Sequence, residues 1–355
     1  MNTIKGNEEQ PDQKPLVTFA LFTYNQEQFV RDAVEGAFAQ TYEPLEIILS
    51  DDFSTDRTFE IMREMAAEYQ GPHRIVLRQS EINLGTAAHV QAVANKMTGE
   101  LLIVAAGDDI SMPERASLTV DAWLAGGKRA SVLHGKMIEI DALTKCEISH
   151  KNFRRGGDVE LNLDWFVRHK RLPFWAPTCA YAKSIFANYQ PLIGGSIIED
   201  QVLVLRCFIE GIVTPISHFL VQQRVGYISS SQGFNYKNPL NWNRSVRSKT
   251  IVALNLLQDI VLRDGIEKKS QKILEKYCLK QVRFWPKLVL PLGYELGFAS
   301  RVLMGSRVIF LNPESATFLG KVWTAIRLFD LMPSKFIKMK AKFERGALAK
   351  QQKLS

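Results

Sequence analysis

The 355 residues are 46% hydrophobic and 23% charged, a globular composition with enough chain for one large domain and an appendage, or for two domains. The formal charge of +8 is uneven, because from residue 321 onward nine Lys and Arg face only Asp330 and Glu344; the rest is nearly neutral, which argues against a nucleic-acid-binding body. Cys146, Cys179, Cys207 and Cys278 form no CxxC pair, and the most apolar stretch, 288–311, is broken by Pro291, Glu295, Arg301 and Arg307, so neither a zinc ribbon, a redox dithiol nor a spanning helix is expected.

Residues 1–14 are polar and lack an apolar core, which predicts a disordered tail rather than a secretory signal. The continuous apolar run 16–22 predicts a buried strand ending in Thr23-Tyr24-Asn25. From Gln26 the apolar positions Phe29, Val30, Ala33, Val34, Ala37 and Phe38 recur at helical spacing. A second strand over 45–50 runs into Asp51-Asp52, with Ser54 or Thr55 placed to cap a helix carrying Ile61, Met62, Met65 and Tyr69. A third strand, 74–79, leads through Asn83-Leu84-Gly85 into a helix with Val90, Val93, Ala94 and Met97. The fourth, 101–106, ends in Gly107-Asp108-Asp109, and Met112-Pro113 suits the first turn of another helix. Four strand-helix alternations predict a mostly parallel α/β sheet with right-handed crossovers.

After Ala130 the alternation stops. Residues 131–140 read as a strand, 164–170 as a short helix, 172–177 as an aromatic, proline-fixed loop and 200–210 as a helix. Beyond Ser231 no strand alternation remains: 240–262 and 268–284 read as helical, and the remainder mixes apolar with basic residues.

Two stretches stand out, because each apolar strand runs straight into paired carboxylates. Asp and Ser favour caps and turns for local reasons, so helix capping accounts for either stretch taken alone. Two such stretches in neighbouring strands of a parallel sheet would instead line one crevice at the strand ends. Four carboxylates there call for a cation, and Mg²⁺ or Mn²⁺ takes one or two of them and completes its shell with phosphate oxygens. The residues alone therefore point to a metal-diphosphate site.

Phe22-Thr23-Tyr24-Asn25, the Asp-Asp-x-Ser-Thr-Asp of 51–56, Asn83-x-Gly85, Gly107-Asp108-Asp109 with Met112-Pro113-Glu114-Arg115, and Glu199-Asp200 follow in an order that resembles a family 2 glycosyltransferase of the GT-A type. The resemblance spans roughly 16–230. It implies a nucleotide-binding α/β domain over 15–230, a C-terminal helical extension over 231–355, and inverting sugar transfer from a nucleotide-sugar donor, UDP-linked, to a hydroxyl of a glycan or lipid-linked acceptor in surface polysaccharide assembly. By it Thr23, Tyr24 and Asp52 bind the nucleoside. Asp108 contacts ribose or metal-bound water, Asp109 ligates Mn²⁺ or Mg²⁺, and Asp200 is the base that deprotonates the acceptor. On local grounds alone Asp200 reads first as an N-cap, and with the resemblance both roles are compatible. Where relatives carry Ala-Arg-Asn after Asn-x-Gly, this chain has Ala87-Ala88-His89, so a diphosphate-binding arginine is missing. Arg78 or His89 is a candidate substitute, and Arg224 is the candidate from the later basic element.

Other features admit two readings. Phe174-Trp175 serves as a sugar platform or as core. The six histidines lack metal spacing. The basic tail, with Trp323, Phe329, Phe336 and Phe343, lies on an anionic membrane at the inner face or packs as a solvated helical face. A nucleotidyltransferase would need a Gly-rich phosphate loop with a lysine, which Thr23-Tyr24-Asn25-Gln26 does not offer. A receiver-like or inactive nucleotide-binding module would be shorter.

Overall fold

The structure of the protein, a computed structural model, describes residues 14–154, 156–169, 173–192, 199–226 and 259. The expected extension 231–355 lies outside the described residues except for Asp259, as does the N-terminal tail before Lys14.

The apolar runs become strands β1 (Val17–Thr23), β2 (Leu45–Asp51), β3 (Arg74–Gln79) and β4 (Leu101–Ala106), joined by helices α1 (Val30–Phe38), α2 (Thr58–Glu68) and α3 (Thr86–Ala94). They pair in parallel in the order β3-β2-β1-β4. β1 and β2 are buried nearly throughout, which is why they read as continuous apolar runs rather than alternations. Alternate residues face opposite layers. Phe19, Leu21, Ile47, Leu49, Leu101 and Ile103 pack with Val34, Met62 and Trp123, whereas Ala20, Ile48 and Leu102 pack with Val90, Val93, Phe174 and Phe208.

The second half is mixed rather than parallel. Next come β5 (Ile110–Ser111), α4 (Arg115–Ala125), β6 (Ala130–Asp141), β7 (Glu147–Lys151) and α5 (Leu163–His169). A 3₁₀ turn (Ala176–Thr178), β8 (Ala180–Ala182), α6 (Ser184–Ala187), α7 (Glu199–Glu210) and β9 (Ile212–Val225) complete the described elements. The sheet runs β3-β2-β1-β4-β8-β6-β9-β5, with β7 on β6. β8 is antiparallel to both neighbours, while β6 and β9 are parallel. β9 returns the chain to the strand ends: Gln222 pairs with Ile110, immediately after Asp109.

Two local expectations are corrected. Neither Ser54 nor Thr55 caps α2, because the Ser54 hydroxyl is drawn to Asp51 and the Thr55 N–H to Asn25, and Asp56 instead accepts the N–H of Thr58 at 3.0 Å. Pro113 precedes α4 rather than sitting in its first turn, since Arg115 opens the helix. Arg115 is buried, and its guanidinium donates to the carbonyls of Val104 and Pro177 at 2.7 and 2.9 Å, bracing the end of β4 against the 3₁₀ turn.

Candidate functional site

The register puts Thr23 beside Asp51 and Phe22 beside Ala106, so the ends of β2, β1 and β4 lie level. Between β1 and β4 the strand order reverses direction, the place where open α/β sheets bind ligands. Both acidic stretches therefore meet at one sheet edge, as the sequence predicts.

The β1 and β2 loops are stitched together. Asn25 and Phe53 adopt positive φ values of 53° and 67°, and the Asn25 side chain accepts the Thr55 N–H at 2.9 Å while its own N–H donates to Ser54 Oγ at 2.8 Å. Asp51 is wholly buried and accepts from the Ser54 N–H, the Thr23 hydroxyl and Gln79 Nε2 at 2.8, 3.1 and 2.9 Å. It is a structural hub, and it holds the Thr23 hydroxyl turned into the core. Tyr24, by contrast, is 43% exposed at the loop tip.

Asp52 is also buried, and its two carboxylate oxygens accept the N–H groups of Leu84 and Gly85 at 2.9 Å each. Gly85 has φ +75°, a conformation open to glycine, which turns both amides toward Asp52 at the start of α3. Asp52 thus anchors the Asn83-Leu84-Gly85 loop, with lone pairs remaining for a ligand. Nearby, Arg78 donates to Ser50 Oγ and Ser80 Oγ at 2.5 and 3.1 Å, and its guanidinium feels the charges of Asp52 and Asp51 without an ion pair to either. His89 shares Ser50 Oγ at 2.5 Å and is pushed down to about 4 by burial, so it is neutral near pH 7.

At the end of β4, Gly107 permits a close approach, since a Cβ there would lie 2.5 Å from Gln26 Oε1 and 2.6 Å from Thr23 Cγ2. The following turn aims Asp109 inward. Its carboxylate accepts the Arg224 backbone N–H at 3.1 Å, and burial, then the neighbouring Asp108 charge, push its carboxyl well above the usual range. No described residue forms an ion pair with Asp109, and no group of three or more His, Cys, Asp or Glu converges among the described residues. Such a donor set, one buried and one half-buried carboxylate side by side, fits Mg²⁺ or Mn²⁺ with most of its shell supplied by diphosphate or water.

Arg224 sits at this turn in a different role from the one expected. Its guanidinium is buried, donates to the Asp108 carbonyl at 2.8 Å, pairs with Asp32 of α1 and lies over the Phe29 ring at 5.2 Å. It supports the turn from behind instead of reaching outward to a diphosphate. Asp32 also receives Lys145 Nζ at 2.8 Å from the β6–β7 turn. Sequence reasoning missed Asp32 and Lys145, which carry no local signature of this association.

Asp200 lies in the first turn of α7. Phe174 is fully buried and belongs to the core; Trp175 is half-buried, with Nε1 donating to the Asn152 carbonyl at 2.8 Å and the Arg154 guanidinium over its ring at 4.1 Å. His134 is buried against Phe153 and Phe174, and neither ring nitrogen has a hydrogen-bond partner among the described residues.

Residues 18–176 match the model of glycosyl transferase family 2. That segment, a little under half of the chain, is similar to glycosyl transferase family 2. Over 127 residues it is 33% identical to the putative glycosyltransferase EpsE of Bacillus subtilis, covering 36% of this chain and 45% of that protein. Over 228 residues it is 26% identical to the succinoglycan biosynthesis protein ExoO of Rhizobium meliloti, covering 61% and 64%. The chain spans from about an eighth to just under two thirds of the length of the curated relatives it matches. The crystal structure of S. aureus TarS in complex with UDP-GlcNAc superposes with a TM-score of 0.52 at 18% identity, covering 75% of this chain and 72% of that one, a likeness of fold. The mixed, mostly parallel α/β sheet of this chain thus has the fold of GT-A glycosyltransferase structures.

Proposed function

We propose that this family 2 glycosyltransferase is a metal-dependent, inverting enzyme that moves a sugar from a nucleoside diphosphate donor to a hydroxyl group. The observation that carries the reading is the meeting of Asp52 and the Asp108-Asp109 turn at the level ends of β2 and β4, on either side of β1. The nucleoside lies toward Tyr24, Asp52 and Arg78, and the diphosphate toward Asp108 and Asp109. A bound Mg²⁺ or Mn²⁺ supplies charge neutralisation at the diphosphate.

The chemistry of this chain's own residues follows. The Asp200 carboxylate takes the proton of the acceptor hydroxyl. The acceptor oxygen bonds to the anomeric carbon from the face opposite the leaving group, and the bond from that carbon to the diphosphate oxygen breaks with its electron pair on the nucleoside diphosphate. The Asp32-Arg224 pair behind the turn holds Asp109 in place, and the Asp52 anchor holds the nucleoside wall. ExoO's name as a succinoglycan biosynthesis protein supports a glycan or lipid-linked acceptor in surface polysaccharide assembly. Such an acceptor suits a peripheral position on the cytoplasmic side of the membrane, and no helix among the described residues is long and apolar enough to cross one.

The test is Asp200→Asn in an assay of UDP release from UDP-sugars. Turnover should fall by at least about 1000-fold with nucleotide affinity unchanged, in line with loss of a positioned base; unimpaired turnover removes Asp200 from the mechanism.

A further inference from the structure

Helix α7 brings Glu199 and Asp200 in its first turn, and the core holds it through Val202, Leu203, Leu205, Cys207 and Phe208. Apolar contacts hold a helix by packing alone and are not directional, whereas hydrogen bonds to a charged side chain add a defined geometry. A base must be held to within a fraction of an ångström. Arg206, six residues and roughly 9 Å beyond Asp200, ties α7 to neighbouring segments through directional hydrogen bonds.

Arg206 is completely buried, and its donors are spent on three different segments. Nη1 donates to the Ile185 carbonyl of α6 at 3.4 Å, and Nη2 to the Gln190 carbonyl at 3.0 Å. Nε and Nη2 make a two-pronged pair with Asp259, at 2.7 Å to Oδ2 and 2.9 Å to Oδ1. The guanidinium also lies over the Tyr189 ring at 4.8 Å. The Asp259 side chain is as buried as its partner. The 188–192 segment is tied in turn to α3, where Gln91 Oε1 accepts the Leu192 N–H at 3.0 Å.

We infer that Asp259 is a positioning residue for the transfer reaction, acting through Arg206 to set the axial place of α7 and so of Asp200. The inference rests on the reading of Asp200 as the base. It makes residue 259, which lies beyond both the sheet and the matched family segment, part of the catalytic unit. A buried ion pair is a poor device for stability, since apolar residues of similar volume often serve as well or better; what it adds is directional geometry.

The test uses the full chain and the double variant Arg206→Met/Asp259→Leu, which removes the pair without leaving a lone buried charge. Amide hydrogen exchange should speed up at least tenfold over 199–205 and stay unchanged in β1, β2 and β4. With the sugar donor that the wild type hydrolyses, chosen from UDP-, GDP- and dTDP-sugars, kcat should fall at least tenfold while KM for donor stays within twofold. A pair that only stabilises the fold would, on removal, leave kcat at its wild-type value and speed exchange no more over 199–205 than in β1, β2 and β4, and that result overturns the inference. If the double variant does not fold, Asp259→Asn, which keeps the shape and one hydrogen bond, is judged by the same split. Asp200→Asn run in parallel separates the two ideas: full turnover there sinks the base assignment, whereas an inactive Asp200→Asn beside a fully active pair variant sinks the positioning role alone.

Discussion

Asp52→Ala tests how the nucleoside wall is built. The carboxylate accepts two backbone N–H groups at 2.9 Å, and removing it strands both donors where Gly85 turns into α3. Hydrogen bonds to a charged acceptor contribute about 1.5–3 kcal/mol each in full burial, and these amides are only partly buried, so a total loss of about 2–4 kcal/mol is expected. For a domain of this size that lowers Tm by roughly 6–12 °C. Asp52→Asn keeps one acceptor and sets its amide against the second N–H, so about half the loss is expected. The assay is thermal unfolding by circular dichroism with and without UDP. If Asp52→Ala unfolds within about 1 °C of wild type, where a surface substitution would leave it, the anchoring role is wrong. Equal shifts for Asn and Ala would refute the two-bond account.

The buried histidines set an acid limit. His134 is pushed down to about 3 and His89 to about 4 by burial. Both lie below the ordinary 6.5, so the unfolded chain binds the extra protons; the stability is fully present above pH 6.5 and is lost as pH falls through the folded values. At pH 5 each site has lost about 2 kcal/mol, and His134→Leu should remove its share of the decline between pH 7 and pH 5 in urea unfolding. A decline parallel to wild type would show that His134 is not its source. Asp32→Asn leaves the buried Arg224 without its carboxylate; because Asp32 is partly exposed, a loss of about 2–3 kcal/mol is expected. Manganese-dependent UDP binding should weaken about tenfold, a loss of roughly 1.4 kcal/mol, and unchanged binding by calorimetry would detach the Asp32-Arg224 pair from the site.

The parallel half of the sheet was legible because strands buried on both faces leave unbroken apolar runs, and the acidic strand ends follow directly from them. β9 was not. Pro215 interrupts its pattern, and its burial alternates irregularly as it pairs first with β6 and then with β5. Its loss from the sequence reading had a consequence at the site: Arg224 was assigned by its place in a basic element, whereas its direction is set by Asp32, 192 positions away. Asp51 and Asp52 look interchangeable in sequence, yet one step along the chain sends Asp51 to bond with Ser54, Thr23 and Gln79 and Asp52 to the Gly85 amides. Capping of α2 went to Asp56 for a similar reason, since tertiary partners had already claimed the Ser54 hydroxyl and the Thr55 N–H.

The strand-end crevice is read as a metal-dependent nucleoside diphosphate site, and titration calorimetry of UDP into wild type and Asp109→Asn, with and without Mn²⁺, tests that most directly. The account predicts UDP binding to wild type that strengthens at least tenfold with Mn²⁺, and no such gain in Asp109→Asn. Binding indifferent to Mn²⁺ in wild type, or an undiminished gain in Asp109→Asn, would contradict it.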